Sequence, residues 1–324
     1  MNEQSDKWAV GIDIGGTKIS VAQVDVNGNI VARNVFRTRV ESGAEAIIKD
    51  IVAAVEKLEK ETGLPPSAAG IGMAGQITLE TGVVQFAPNL GWKEVPLKEI
   101  LQKELKIPVI VLNDVRAATW GEWHHGAGIG KTELICLFIG TGIGGGIVCN
   151  NQLLTGSNNS AGELGHITIE LNGPECTCGN RGCLEAFAGG WALAKRARAE
   201  IEGETTAGAA ILKQALDKVG DVSARHLIEA AREGDSLAQE IINDAIEAIT
   251  AGCVSFVNAF NPSCLILGGG LGLALPDLIN KVTDGVKKSA LKTATEKLEI
   301  KAAALQTEAG VIGAASFALQ SLKK

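Results

Sequence analysis

One local pattern occurs twice in the chain: an apolar strand, a short glycine-rich turn and a second apolar strand. In the first copy Trp8–Ile14 precedes Gly15-Gly16, and the apolar run Ile19–Val24 follows at once. The second copy consists of Leu134–Ile139, the glycine segment Gly140–Gly145 and the short strand Ile147–Cys149. A glycine turn between two apolar runs predicts a β-hairpin. The recurrence of this hairpin predicts an internal duplication into two related α/β domains.

Between the two hairpins, helical and extended segments alternate. The apolar residues of Ile47–Leu58 recur at helical spacing, and Ala69–Ala74 is a buried strand that ends at Gly75. Pro108–Leu112 is a further strand, after which Asp114 can cap the next helix. Hairpin strands followed by alternating helices and strands describe a mixed sheet with crossover helices.

The length of 324 residues leaves room for two domains of ~150 residues each. We expect an N-terminal α/β domain over residues 1–120 and a C-terminal α/β domain over residues 121–308. The second domain carries a cysteine-rich loop and a helical subdomain, and the last helix, about residues 309–324, packs back on the first domain. Long apolar helices favour a homo-oligomer, either a dimer or a tetramer.

Composition bounds the class of protein. A net charge of −7 without a basic run argues against nucleic acid as a partner. An odd number of cysteines, seven, and the lack of a secretory signal predict a reduced, cytoplasmic protein. The longest apolar run is far shorter than the ~20 residues that span a bilayer, so we expect no membrane partner.

A cysteine-rich segment has the composition of a metal site. His166, Cys176, Cys178 and Cys183 form a Cys₃His set, which is a closed tetrahedral complement for structural Zn²⁺. The alternative is a loop that carries cysteines without a metal. A zinc-stabilised loop would fix the two carboxylates that flank it, Glu163 and Glu185, and would act as a brace for a neighbouring ligand.

The two glycine turns predict a phosphate site, because backbone N–H groups in such turns bind anions and glycine admits phosphate oxygens closely. A third glycine cluster, Gly268–Gly270, follows a strand and could hold the base or ribose of a nucleotide. A plain hairpin is the alternative for either turn alone. The G-x-G-x-x-G pattern in Gly140–Gly145 does not predict a dinucleotide fold, because a strand and not a helix follows it.

Asp114 is the candidate catalytic carboxylate, because it stands at the carboxyl end of a parallel strand, where α/β sheets bind ligands. The alternative is that Asp114 only caps a helix. Polar residues in the glycine-rich loops suit a polyhydroxylated ligand, and these residues are Asn89, Asn113, Glu163 and Glu185. If one nitrogen of His166 binds zinc, the other can still donate to that ligand or to a backbone carbonyl.

These motifs together resemble the ROK family (repressors, open reading frames, kinases). The segments that carry the resemblance are Asp13–Lys18, Asn113-Asp114, Gly140–Gly146, Gly162–His166 and Cys176–Glu185. Ala87–Trp92, followed by Val95-Pro96-Leu97, is similar to the bacterial glucokinase branch of that family. The resemblance implies an α/β actin-like ATPase (ribonuclease H-like) duplicated fold, with two domains of mixed sheets flanking a cleft. It also implies transfer of phosphate from ATP to the 6-hydroxyl of a hexose, which for glucose yields glucose 6-phosphate.

The resemblance also implies a role for individual residues. Asp114 would be the base that accepts the proton of the 6-hydroxyl, and Asp13 would hold Mg²⁺ through water. The sugar would contact Gly75, Asn89, Asn113, Asp114, Glu163, His166 and Glu185. ATP would contact Asp13, Gly15, Gly16, Thr17, Lys18, Thr141, Gly142, Gly269 and Gly270.

Some alternatives stay open on the sequence. Ala186–Trp191 departs from the Thr/Ser-rich run of the glucokinase branch, so N-acetylmannosamine, N-acetylglucosamine, mannose and fructose remain possible substrates. A sugar-binding sensor without catalysis is a further alternative. We expect no helix-turn-helix domain of the family's regulators, because only seven residues precede the first strand. Polyphosphate-using relatives lack the cysteine cluster, which favours ATP as the donor.

Overall fold

The computed structural model describes residues 7–78, 80–203 and 208–322. The chain divides into two compact units. The first unit comprises Met1–Lys131, Gln152–Ala161 and Ala304–Lys324, and the second comprises Thr132–Asn151 and Gly162–Ala303. The domain limits expected from the sequence, 1–120 and 121–308, stay predictions.

The main sheet of the first unit has the strand order β3-β2-β1-β4-β8. Its strands are β1 (Trp8–Ile14), β2 (Lys18–Asp25), β3 (Ile30–Arg37), β4 (Ala68–Met73) and β8 (Val109–Asn113). The first three strands are antiparallel neighbours, whereas β4 is parallel to β1 and β8 is parallel to β4. The predicted hairpin and the mixed sheet are therefore confirmed.

A small antiparallel sheet, which the sequence analysis missed, lies between β4 and β8 in the chain. It consists of β5 (Gln76–Ile77), β6 (Val84–Ala87) and β7 (Trp92–Val95). These strands are only two to four residues long, too short for a clear alternation of apolar and polar residues. The sheet matters because Gly75 precedes it and Asn89 lies in the connection between β6 and β7.

Helix α11 (Ala309–Ser321) of the first unit packs unusually close to the main sheet and to α3 (Asp114–His125), and glycines make this possible. A Cβ atom at Gly11 would lie 1.9 Å from the Val311 carbonyl oxygen, and one at Gly70 would lie 1.8 Å from that of Ala314. On the α3 side, a Cβ at Gly313 would lie 1.7 Å from the Ala117 carbonyl oxygen. The helices of this unit are α1 (Gly43–Thr62), α2 (Leu97–Leu105), α3 (Asp114–His125) and α11 (Ala309–Ser321).

The second unit repeats the strand arrangement of the first. Its order β10-β9-β12-β13 matches β2-β1-β4-β8, with one antiparallel pair followed by parallel neighbours. The strands are β9 (Leu134–Ile139), β10 (Ile143–Cys149), β12 (Cys264–Gly268) and β13 (Glu299–Ala302), and the short β11 (Gln152–Leu153) follows β10 in the chain. This shared order confirms the internal duplication.

The predicted length of the second glycine turn is wrong. Strand β10 begins at Ile143, so Gly144 and Gly145 pair with Phe138 and Leu137 of β9 and do not belong to the turn. Gly145 is needed inside the strand because a Cβ there would lie 2.5 Å from the Leu164 side chain. The turn itself is only Gly140–Gly142, closed by a bond from the Gly140 N–H to the Gly142 carbonyl.

Helices cover the sheet of the second unit and form its core with β9, β10 and β12. The longest, Ser236–Phe260, has the predicted bounds and buries Ile241, Ala245 and Ile249. The helices are α4 (Leu184–Ala188), α5 (Gly190–Gly203), α6 (Ala209–Gln214), α7 (Ala224–Arg232), α8 (Ser236–Phe260), α9 (Leu278–Ser289) and α10 (Lys292–Thr295). None of the helices in the described ranges combines the length and the apolar character that crossing a bilayer requires.

Candidate active site and metal centre

Asn113 and Asp114 stand where β8 gives way to α3. The Asn113 side chain accepts hydrogen bonds from the Val115 and Arg116 N–H groups at 3.1 and 3.3 Å and is the N-cap of the helix. The prediction that Asp114 caps this helix is therefore wrong, since Asp114 is its first residue. One Asp114 oxygen accepts from the Val115 N–H at 2.9 Å. Because Asn113 supplies the cap, capping no longer explains the presence of a carboxylate at residue 114.

Asp13 lies near the end of β1, which β4 separates from β8, and it is electrostatically coupled to Asp114. Burial, followed by the negative charge of Asp114, raises the pKa of Asp13 to about 6, against smaller lowering effects of Lys18 and Arg33. The N-terminal turn of α11 reaches the same place, because a Cβ at Gly310 would lie 3.1 Å from an Asp13 carboxylate oxygen. Two carboxylates that repel each other form a place where a hard cation such as Mg²⁺ would be stabilised.

The first glycine turn is held by Thr38 and touches Asn89. The Thr38 hydroxyl donates to the Gly15 carbonyl at 2.6 Å, and the Thr38 N–H donates to the Thr17 carbonyl at 2.9 Å. A Cβ at Gly16 would lie 3.3 Å from the Asn89 carbonyl oxygen. The structure thus brings a residue predicted for the sugar to a turn predicted for phosphate. Thr38 was missed, because nothing in its sequence surroundings marks it.

Gly75 lies against the strand that leads to Asn89. Its φ of +150° and the 2.8 Å that would separate an added Cβ from the Phe86 carbonyl oxygen both require glycine. The first unit therefore contains the predicted catalytic base, the predicted Mg²⁺-binding carboxylate and part of the predicted sugar and phosphate contacts. These residues are Asp13, Gly15, Gly16, Thr17, Lys18, Gly75, Asn89, Asn113 and Asp114.

In the second unit, Gly162 and Gly165 set the positions of Glu163 and His166. Gly162 has φ +93°, and a Cβ at Gly165 would lie 2.1 Å from the Ile143 carbonyl oxygen. The short 3₁₀ turn Leu164–His166 consequently lies directly against β10. Glu163 is exposed there and His166 is half-buried.

His166, Cys176, Cys178 and Cys183 converge, and their potential ligand atoms all lie within 4.8 Å of one another. His166 Nδ1 is 3.7 Å from Cys176 Sγ, and Cys178 Sγ is 3.7 Å from Cys183 Sγ. Tetrahedral ligands at bond lengths of about 2.0–2.3 Å stand roughly 3.3–3.8 Å apart, so the group has the dimensions of a metal site. His166 Nε2 is the nitrogen that a metal on Nδ1 would leave for another partner.

Backbone geometry folds the cysteine loop back on itself. Gly179 and Gly182 have φ values of +90° and +72°, and a Cβ at Gly182 would lie 1.6 Å from the Glu170 carbonyl oxygen. Burial raises the pKa of the Cys183 thiol to about 12, so a metal that binds there must displace its proton. The loop can hold a metal ion, and three sulfurs with one nitrogen form a set that zinc prefers.

Glu185 is buried beside the second glycine turn, and both of its oxygens have donors. One oxygen accepts from the Ile143 N–H at 2.7 Å, and the other accepts from the Trp191 indole N–H at 3.1 Å. A Cβ at Gly142 would lie 2.4 Å from this carboxylate. The structure therefore joins a predicted sugar residue to a predicted ATP residue within the second unit.

A cavity of about 780 Å³ opens next to the same turn, a size typical of small-molecule sites. Of the residues predicted for ATP, Thr141 and Gly270 line it. Gly269 supports the wall, because it has φ +84° and an added Cβ would lie 2.3 Å from the Ile139 carbonyl oxygen. The residues that sequence reasoning missed come mainly from α5 and α7, and they include Trp191, Ala194, Arg198, Arg225, Ile228, Arg232 and Leu271.

Two units with one strand order, each with a glycine turn after its first strand, define a duplicated α/β protein of the actin-like ATPase fold. Residues 9–321 match the ROK family, and the chain belongs to this family. It is 36% identical over 309 residues to the glucokinase of Thermotoga maritima, covering 95% of this chain and 96% of that protein.

Solved structures agree with this assignment. A ROK hexokinase from Thermus thermophilus superposes with a TM-score of 0.84 at 32% identity, covering 98% of this chain and 99% of that one. A ROK family glucokinase from Streptomyces griseus, solved with glucose and AMPPNP, superposes with a TM-score of 0.78 at 36% identity, covering 97% of this chain and 99% of that one.

Proposed function

We propose that the protein transfers the terminal phosphate of ATP to the 6-hydroxyl of glucose, which yields glucose 6-phosphate and ADP. The observation that carries the proposal is the placement of Asp114 directly after the carboxyl end of β8. Asn113, not Asp114, is the N-cap of α3, and the charge of Asp114 raises the pKa of Asp13. The similarity of nearly the whole chain to glucokinases supports the same reaction. Both observations favour a kinase over a sugar-binding sensor.

In this mechanism Asp114 accepts the proton of the 6-hydroxyl as the oxygen attacks the phosphorus of the γ-phosphate. Phosphoryl transfer passes through a loose transition state, so most of the acceleration comes from positioning and from neutralising charge. The backbone of Gly15–Lys18 holds phosphate oxygens, and Thr38 keeps that turn in shape. Mg²⁺, bound with ATP and held by Asp13 through water, would neutralise the phosphate charge.

The hexose-binding residues of the proposal are those that the family resemblance implies. In the first unit Gly75, Asn89 and Asn113 join Asp114, and Asn113 can donate through its amide nitrogen while its oxygen caps α3. In the second unit Glu163, His166 and Glu185 bind hydroxyl groups. A set of carboxylates and amides suits a ligand whose every hydroxyl needs a partner.

We propose that the Cys₃His cluster holds a structural Zn²⁺. The convergence of the four ligand atoms supports this assignment. The ion has no open position for chemistry in a closed site, and its effect is to fix the loop between Glu163 and Glu185. The cytoplasm as the location and a dimer or tetramer as the assembly remain predictions from the sequence.

The test is a coupled ADP-release assay with MgATP and a panel of sugars: glucose, mannose, fructose, N-acetylglucosamine and N-acetylmannosamine. We expect the highest kcat/KM with glucose. Turnover only with an N-acetyl sugar would keep the phosphoryl transfer and contradict the substrate. If protein that contains one zinc per chain released no ADP above background with any sugar, the sensor alternative would replace the kinase.

A further inference from the structure

Trp191, at the start of α5, is bonded through its backbone to the second glycine turn. Its N–H donates to the Thr141 carbonyl at 3.0 Å, and the Gly190 N–H donates to the Gly140 carbonyl at 3.0 Å. The approach is close, because a Cβ at Gly190 would lie 2.9 Å from that Gly140 oxygen. The half-buried indole is therefore fixed relative to the turn that is proposed to bind phosphate.

Trp191 contacts three features of the second unit. Trp191 lines the 780 Å³ cavity, and its indole N–H donates to Glu185 at 3.1 Å. It also packs against the apolar cluster of Cys176, Cys183 and Ala186 in the metal loop. A single side chain thus touches the nucleotide cavity, a sugar-binding carboxylate and the metal loop.

The bond to Glu185 orients the carboxylate without using up its acceptors. Each carboxylate oxygen has two lone pairs. The indole N–H occupies one position on the first oxygen, and the Ile143 N–H occupies one position on the second. One acceptor position remains on each oxygen for a hydroxyl group, while the two donors fix the rotamer and the plane of the carboxylate.

We propose that Trp191 is a positioning residue, which orients Glu185 for the hexose and, through its ring, contacts the nucleotide base or ribose in the cavity. The inference rests on the proposed hexose kinase function. Aromatic rings offer a flat apolar face to a purine, and an indole N–H keeps a polar partner when it is buried. Because one ring makes both contacts, nucleotide in the cavity stabilises the ring orientation that holds Glu185.

The first test is Trp191→Phe, which keeps an aromatic ring and removes the N–H donor. We expect the KM for the hexose to rise on the order of tenfold, the effect of losing a hydrogen bond to a charged group. The KM for ATP should change less than twofold in this variant and rise severalfold in Trp191→Ala, which also removes the ring. The matched control is Trp123→Phe in the first unit, which loses an indole bond to the Lys131 carbonyl and should change neither constant. A hexose KM of Trp191→Phe within twofold of the unaltered protein would overturn the role in orienting Glu185.

The second test is tryptophan fluorescence, and it does not depend on turnover. Of the five tryptophans, Trp8, Trp92, Trp120 and Trp123 lie in the first unit. AMPPNP without sugar should change the emission of the unaltered protein and of Trp123→Phe, and this change should be much smaller in Trp191→Phe. A change of the same size in Trp191→Phe as in the unaltered protein would contradict the contact of Trp191 with nucleotide.

Two further readouts distinguish a failure of the proposed kinase function from a failure of the inference about Trp191. In the unaltered protein AMPPNP should reduce acrylamide quenching of the tryptophan emission. This measurement tests the contact of Trp191 with nucleotide even if Trp191→Phe does not fold, and unchanged quenching would overturn that contact. If no sugar is phosphorylated but the AMPPNP response of Trp191 is present, the kinase function fails and the nucleotide contact stands. If glucose is phosphorylated and the response is absent, only the inference about Trp191 fails.

Discussion

The two glycine turns have nearly the same backbone surroundings and very different chemistry. Each follows the first strand of its unit, and each has a positive-φ glycine after the next parallel strand, Gly75 in the first unit and Gly269 in the second. The residue before the last in the preceding strand is Asp13 in β1 and Phe138 in β9. The duplicated framework therefore carries a pair of carboxylates in one unit and a cavity beside the glycine turn in the other.

The carboxylates follow the same division. In the first unit Asp13 and Asp114 repel each other, and the pKa of Asp13 is raised. In the second unit the Glu185 carboxylate is stabilised by two donors. A strained pair of acids suits the reacting groups, whereas a carboxylate with fixed donors suits binding. A repeat in the sequence thus predicts the backbone, while single substitutions within it decide which copy does the chemistry.

The largest effect that tests this division is the loss of the proposed base. Asp114→Asn should lower kcat by about 10²–10⁴-fold, the range of general acid–base catalysis, because an amide cannot accept the hydroxyl proton. The KM for glucose should change only a few-fold. The ADP-release assay measures both constants, with Asp50→Asn, which removes the charge of a surface ion pair with Arg39, as the control. A kcat within twofold of the unaltered protein would remove Asp114 from the mechanism.

The next effect tests the second unit. Cys178→Ser should reduce zinc content and raise the KM for glucose about 10–100-fold, because the ligand loop supports Glu163 and Glu185 and outer support of this kind has effects of that size. Metal analysis and the ADP-release assay test both consequences. Cys149→Ser is the matched control, because Cys149 is also an exposed cysteine of the second unit and lies outside the cluster. Loss of zinc with an unchanged glucose KM would show that the loop does not brace the site.

Much of the framework could be predicted because its signals are local. The bounds of β1, β9 and α8 follow from apolar runs and periodicity, and the metal cluster follows from ligand spacing. The second glycine turn was predicted too long, because a sequence does not show that Leu164 packs where a side chain at Gly145 would stand. Whether Asn113 or Asp114 caps α3 also depends on backbone angles that both residue types can adopt.

The cavity beside the second glycine turn could be predicted only in part, because its walls come from distant segments. Thr141 and Gly270 carry a glycine-turn signal, but Trp191, Arg198 and Ile228 lie on helices whose facing sides depend on tertiary packing. The bond from Trp191 to Glu185 joins two elements that are adjacent in the chain, yet nothing in the sequence requires it. Such contacts are visible only once the helices are placed.

A smaller effect concerns the free energy of unfolding and tests the burial of Asp13, at the position where β9 has Phe138. Because the folded pKa of Asp13, about 6, is above its ordinary value of 3.8, folding disfavours the ionised form. The stability of the metal-free protein should therefore fall as the pH rises from about 4 to about 6 and stay lower above it. Asp13→Asn lacks this cost, so relative to the unaltered protein it should gain up to about 3 kcal/mol between pH 4 and pH 8.

Urea unfolding of both proteins in EDTA at pH 4.5 and 8 measures this gain, with Asp50→Asn as the control. The same variant should lose activity with MgATP, so that stability and activity change in opposite directions. An equal stability difference at both pH values would show that the Asp13 carboxylate is not destabilised by its surroundings.

The smallest effect separates two neighbouring glycines of the second unit. Gly270 lines the cavity, and an added Cβ would have no atom within 4 Å. Gly270→Ala should therefore fold normally. Its KM for ATP should rise two- to fivefold, roughly the effect of one methyl group, because the methyl group occupies space that the ligand needs. Gly269→Ala should instead destabilise the protein, because a Cβ would lie 2.3 Å from the Ile139 carbonyl oxygen. Gly220→Ala, with equally open surroundings but outside the cavity, is the control and should change neither stability nor the KM for ATP. An unchanged KM for ATP in Gly270→Ala would contradict the assignment of nucleotide binding to this cavity of the second unit.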